Sequence, residues 1–89
     1  MNHEELRQDL TRLHAELKQI SSLDQSERGM LLRLEAEIDE VLARDDEHPQ
    51  SYGGLGEQIG KAMAQLEVSH PRTTLLMQRV VDSLAYLGV

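Results

Sequence analysis

Cysteine, phenylalanine and tryptophan are absent from this 89-residue sequence, and only two prolines and two tyrosines occur. Without cysteine there is no disulfide, no thiolate nucleophile and no cysteine-based zinc site, so any metal chemistry would rest on His, Asp and Glu. Without bulky aromatics, the core falls to 15 Leu, 5 Val, 3 Ile and 4 Met, helped by Tyr52 and Tyr86. A chain this short buries little apolar area, which predicts that oligomerisation, as a homodimer or higher assembly, supplies extra burial. Long apolar runs are missing as well. No window approaches the roughly 18 uncharged residues that a membrane span needs, and His3, Glu4 and Glu5 stand before Leu6 where a signal peptide would carry its hydrophobic region. The expectation is one domain over residues 1–89, cytoplasmic and off the membrane.

Basic residues are scarce too, 9 against 16 acids, for a net charge of −7. The imbalance is local: residues 35–47 hold 7 acids and 1 base, which is −6 of the −7. Such a chain repels phosphate and anionic lipid. Arg7, Arg12, Lys18 and Arg33 are interleaved with acids, so direct nucleic-acid binding is disfavoured and a basic protein is the partner class that the charge suits.

What the chain does have is leucine at helical spacing. Leu6, Leu10, Leu13, Leu17 and Ile20 recur at intervals of 4, 3, 4 and 3, a heptad seam that must pack on a partner helix. Asn2 and Glu5 suit a capping box at its start, and the predicted span is 3–21. Asp24 and Glu27 form a second capping box, and the short turn between the two makes an antiparallel hairpin. Helix 2, about 25–44, has the seam Leu31, Leu34, Ile38 and Val41, flanked by Met30 and Leu42. Leu32 falls off this face and points to a second contact surface.

The charged segment from Arg44 to Gln50, with Pro49, ends helix 2. Helix 3 is expected over 52–68, capped by Ser51, with the seam Leu55, Ile59, Ala62 and Leu66 and with Met63 alongside. Gly53, Gly54, Gly56 and Gly60 weaken it by roughly 1 kcal/mol each in a helix interior, or else admit a neighbouring helix closely. Ser69-His70-Pro71 marks the last boundary, since Pro suits a first helical turn while the residue before it is driven from the α region. Helix 4, about 71–87 and stopped by Gly88, confines its polar positions to a stripe of Arg72, Arg79, Asp82 and Tyr86. Leu75, Leu76, Met77, Val80, Val81, Leu84, Ala85 and Leu87 cover most of the rest, which places this helix centrally or at an interface.

No catalytic constellation emerges. His3, His14, His48 and His70 are scattered, no nucleophile elbow occurs, and Gly53-Gly54-Leu55-Gly56 lacks the strand and the Lys-Ser/Thr of a phosphate loop. Glu67-x-x-His70 has the spacing of a di-iron bundle ligand pair, and Asp45-x-x-His48 shares it. A second inward copy and further carboxylates are missing, so Glu67 and His70 are weak metal candidates and no cofactor is expected. The acids Glu35, Glu37, Asp39, Glu40, Asp45, Asp46 and Glu47 read first as a solvated face. Their like-charge pairs at i, i+3 and i, i+4 cost a little helix stability, a small argument for a use as a cation site, a docking surface for a basic partner or a mimic of nucleic-acid phosphate, against the favoured solvated face.

The opening Met1-Asn2-His3-Glu4-Glu5-Leu6-Arg7, the stretch Leu13-His14-Ala15-Glu16-Leu17, the boundary Ser69-His70-Pro71-Arg72 and the ending Leu84-Ala85-Tyr86-Leu87-Gly88-Val89 together resemble a short acidic bacterial family, domain of unknown function 4404. The resemblance spans nearly the whole chain. It implies a bacterial, cytoplasmic, helical protein and no particular activity. The glycines between 53 and 60 depart from the Leu- and Glu-rich pattern expected there.

The sequence therefore predicts an all-α protein, a helical hairpin plus two further helices in a four-helix bundle or coiled-coil-like arrangement. Its expected role is a non-enzymatic interaction and oligomerisation module. Leu76, Val80, Val81, Leu84 and Leu87 are the expected apolar contacts, and Glu35, Asp39, Asp45 and Asp46 the acidic ones. The alternatives are an acidic inhibitor or mimic that binds a basic protein, and a carboxylate and histidine metal binder.

Overall fold

A computed structural model describes residues 3–43, 52 and 54–87. Four helices account for almost all of them: α1 (His3–Gln19), α2 (Gln25–Ala43), α3 (Leu55–Leu66) and α4 (Pro71–Tyr86). The leucine seams turn inward as their spacing requires. Leu6, Leu10, Leu13 and Leu17 of α1 meet Leu31, Leu34, Ile38 and Val41 of α2, Leu55, Ile59, Ala62 and Leu66 of α3, and Met77, Val80 and Leu84 of α4 in a single core. Each helix packs on two neighbours, in the ring α1, α2, α3, α4 and back to α1. The start of α1 meets the end of α2, and the start of α3 meets the end of α4, so each of these pairs is an antiparallel hairpin.

Local chemistry explains the boundaries. At the start of α2 the Glu27 N–H donates to Asp24 Oδ1 at 2.7 Å and the Asp24 N–H donates to Glu27 Oε1 at 3.0 Å, a reciprocal capping box. Helix α3 begins at Leu55 rather than at residue 52, since glycines at 53 and 54 disfavour helix, and its N-cap Gly54 offers no side chain to the first amides. It ends at Leu66, and the chain turns through Glu67–Ser69. Pro71 then opens α4 behind an N-cap His70 held outside the helical region, at φ −137° and ψ 66°, as a residue before proline must be. The proposed caps Asn2 and Ser51, the breaker Arg44–Gln50 and the stop at Gly88 lie outside the described residues.

Two features of the core lie outside the predicted helical seams. Tyr52, only 1% exposed, is the aromatic anchor of the core although it precedes α3. Helix α4, expected to be apolar on most sides, buries Thr73, Thr74 and Ser83 beside Met77, Val80 and Leu84. Two of these hydroxyls bond within the helix: Thr74 Oγ1 donates to the Pro71 carbonyl at 2.8 Å and Ser83 Oγ to the Arg79 carbonyl at 3.0 Å. A hydroxyl so bonded enters a core at little cost. Two flanking helices, α1 and α3, therefore suffice for α4.

The chain closes this core alone. Its accessible surface of 5544 Å² is close to the roughly 5,300 Å² typical of a folded monomer of its mass. Its radius of gyration of 12.2 Å matches the roughly 12 Å of a compact domain of this length. No helix among the described residues is long and apolar enough to cross a membrane.

Candidate interaction surface

With the seams consumed in the core, the functional question moves to what the outside of the bundle presents. Polar contacts between helices come first, since they fix how the faces are displayed. Arg7 on α1 reaches across to the end of α2, where its Nη2 donates to the Leu42 carbonyl at 2.6 Å and its Nη1 to the Val41 carbonyl at 3.5 Å. These carbonyls are among those a helix end leaves without partners, and a guanidinium there also meets the negative end of the dipole. Asp9, almost fully buried, faces Arg79 Nη2 of α4 at 3.5 Å. His14 Nε2 of α1 lies 3.0 Å from Asp39 Oδ1 of α2, with no hydrogen bond directed at that nitrogen. None of Arg7, Asp9 and His14 was legible as a cross-helix contact, because each depends on which helix lies beside α1.

Large apolar side chains remain outside this frame. Leu32 is 59% exposed on α2, Leu75 69% and Tyr86 70% on α4, and Val68 95% in the turn after α3. Leu75 and Tyr86 share the outer stripe of α4 with Arg79 and Asp82. An open groove of about 250 Å³ runs beside Leu75, floored by Met63 and Ala64 of α3. A larger one, about 400 Å³, lies between α2 and α3 where Gly29 leaves room, and Arg33 and Lys61 border it. Lys61 is engaged by Glu57 at 3.6 Å.

The predicted contact residues separate into three groups. Val80 and Leu84 belong to the monomer's own core; helix periodicity turns them inward and they offer no surface to a partner. Leu76, Val81 and Leu87 are partly buried against that core. Glu35 is half-buried and Asp39 exposed on α2, while Asp45 and Asp46 lie outside the described residues. Leu75 was counted among the apolar positions of helix 4, but its outward place between Arg72 and Arg79 was already readable from the polar stripe. The metal candidates do not converge. Glu67 is exposed, His70 Nδ1 sits 3.0 Å from Ser69 Oγ, and no three His, Asp or Glu side chains cluster to hold an ion among the described residues. Asp45 and His48 lie outside those residues.

The chain belongs to the family described as Domain of unknown function (DUF4404), which it matches over residues 6–89. Neither a curated protein nor a solved structure matches it.

Proposed function

We propose, proceeding from that family membership and from the surface just described, that the protein is a non-enzymatic helical interaction module that associates with itself. One observation carries this reading: Leu32, Leu75 and Tyr86 project from helix faces of a bundle whose core is already closed without them. Exposed apolar side chains on rigid helices are what one bundle offers another. The acids of α2 add selectivity, since Glu35, Glu37, Asp39 and Glu40 favour a basic surface and repel an anionic one. Multi-angle light scattering across about 1–100 µM, the range in which interfaces of modest area assemble, tests the reading. The expected result is a mass that rises above 10.1 kDa with concentration. A monomer throughout overturns it.

A further inference from the structure

We infer that the protein forms a two-fold dimer through the outer face of α2, packed antiparallel against α2 of a second copy. This rests on the interaction-module reading and assigns it a surface and a symmetry. Opposite the buried seam of α2 runs a second stripe, Gln25, Gly29, Leu32, Ala36, Asp39 and Ala43, spaced by 4, 3, 4, 3 and 4, and every member is exposed. This is heptad spacing. Among the described residues no other helix packs over the middle of this face; His14 of α1 approaches Asp39 at its edge, 3.0 Å away. Leu32 is its one large apolar side chain, 59% exposed. Ala36 and Ala43 are small, and no atom lies within 4 Å of the Cβ position of Gly29, so a facing helix can approach closely.

Charge names the occupant and its direction. Arg28 and Arg33 flank the N-terminal half of the stripe; in its C-terminal half Asp39 stands on the stripe itself, with Glu35 and Glu40 to either side. A parallel copy would set base against base and acid against acid. An antiparallel copy lays each basic half over the other copy's acidic half, and two-fold symmetry repeats the match at both ends. The axis then falls between Leu32 and Ala36, so that Leu32 of each copy seats on Ala36 of the other, a large side chain over a small one. The outer stripe of α4 is a poorer candidate. Its two apolar side chains, Leu75 and Tyr86, are separated by Arg79 and Asp82, and Arg79 is engaged by Asp9.

The absence of cysteine makes orientation directly measurable. Gln25→Cys and Ala43→Cys replace exposed, uncharged residues at the two ends of the stripe. In the antiparallel dimer these ends meet, whereas the two copies of position 25 stand about 27 Å apart at 1.5 Å per residue. A short bis-maleimide should therefore link a mixture of the two variants and neither variant alone. Leu32→Glu, and separately Arg28→Glu with Arg33→Glu, should weaken dimerisation at least about tenfold. Circular dichroism should remain unchanged, since all three side chains are exposed. Linking within each variant alone, or a dimer indifferent to these substitutions, overturns the α2 pairing. If the dimer survives them but is lost in Leu75→Glu, the α2 pairing fails while the interaction-module reading stands. A wild-type chain that stays monomeric defeats both.

Discussion

Arg7 shows how much one side chain can do in a bundle this small. Its guanidinium hydrogen-bonds the carbonyls of Val41 and Leu42, stitching the start of α1 to the end of α2. Replacing it with Met keeps an apolar stem but leaves those carbonyls to water and removes a cation from the helix C-terminus. Chemical denaturation of Arg7→Met should show a loss of about 1–2 kcal/mol. The Asp9 and Arg79 pair is different in kind. The carboxylate is buried but its partner is largely exposed, so solvent screens the attraction and its contribution is correspondingly small. Nothing in the spacing of α1 separates these two residues from ordinary solvated charges, because their partners lie 34 or more positions away.

Among the elements, α3 is the shortest at 12 residues, and it alone carries two glycines inside the helix. Only Gly56 has a packing neighbour, with Leu84 Cδ1 3.5 Å from its Cβ position, an ordinary van der Waals distance; Gly60 has none within 4 Å. The alternative that these glycines admit a neighbouring helix therefore fails at Gly60 and is not required at Gly56. Gly60→Ala should raise stability by about 1 kcal/mol through helix propensity alone, seen as a rise of about 4–8 °C in melting temperature. Gly29 of α2 likewise has nothing within 4 Å of its Cβ position, so the same argument applies there. The helical seams were legible because a 3.6-residue period exposes the inward face directly, and the capping box because its two residues lie three apart.

For the whole molecule, the closed ring of four helices means that core and surface leucines obey different rules despite identical chemistry. Leu10 is fully buried and Leu75 is 69% exposed. Leu10→Ala should cost about 2–5 kcal/mol, a large fraction of a domain's usual stability of about 5–15 kcal/mol. Leu75→Gln should stay within about 0.5 kcal/mol of wild type, and urea midpoints compare the two directly. The sequence by itself determined the all-helical class, the inward seams of three helices and the turn chemistry at Asp24 and Pro71, because each follows from local spacing or backbone restriction. Only the tertiary structure decided that α4 turns Thr73, Thr74 and Ser83 inward beside Met77, Val80 and Leu84. A helix rich in apolar residues can turn several faces inward, and its two neighbours choose among them. The burial of Tyr52 was decided in the same way, since a lone tyrosine beside a breaker carries no periodicity to place it in the core. The outer stripe of α2 lies between the two cases. Leu32 marked it in the sequence, but only the closure of the bundle on the opposite face showed that Leu32 stays exposed, at 59%.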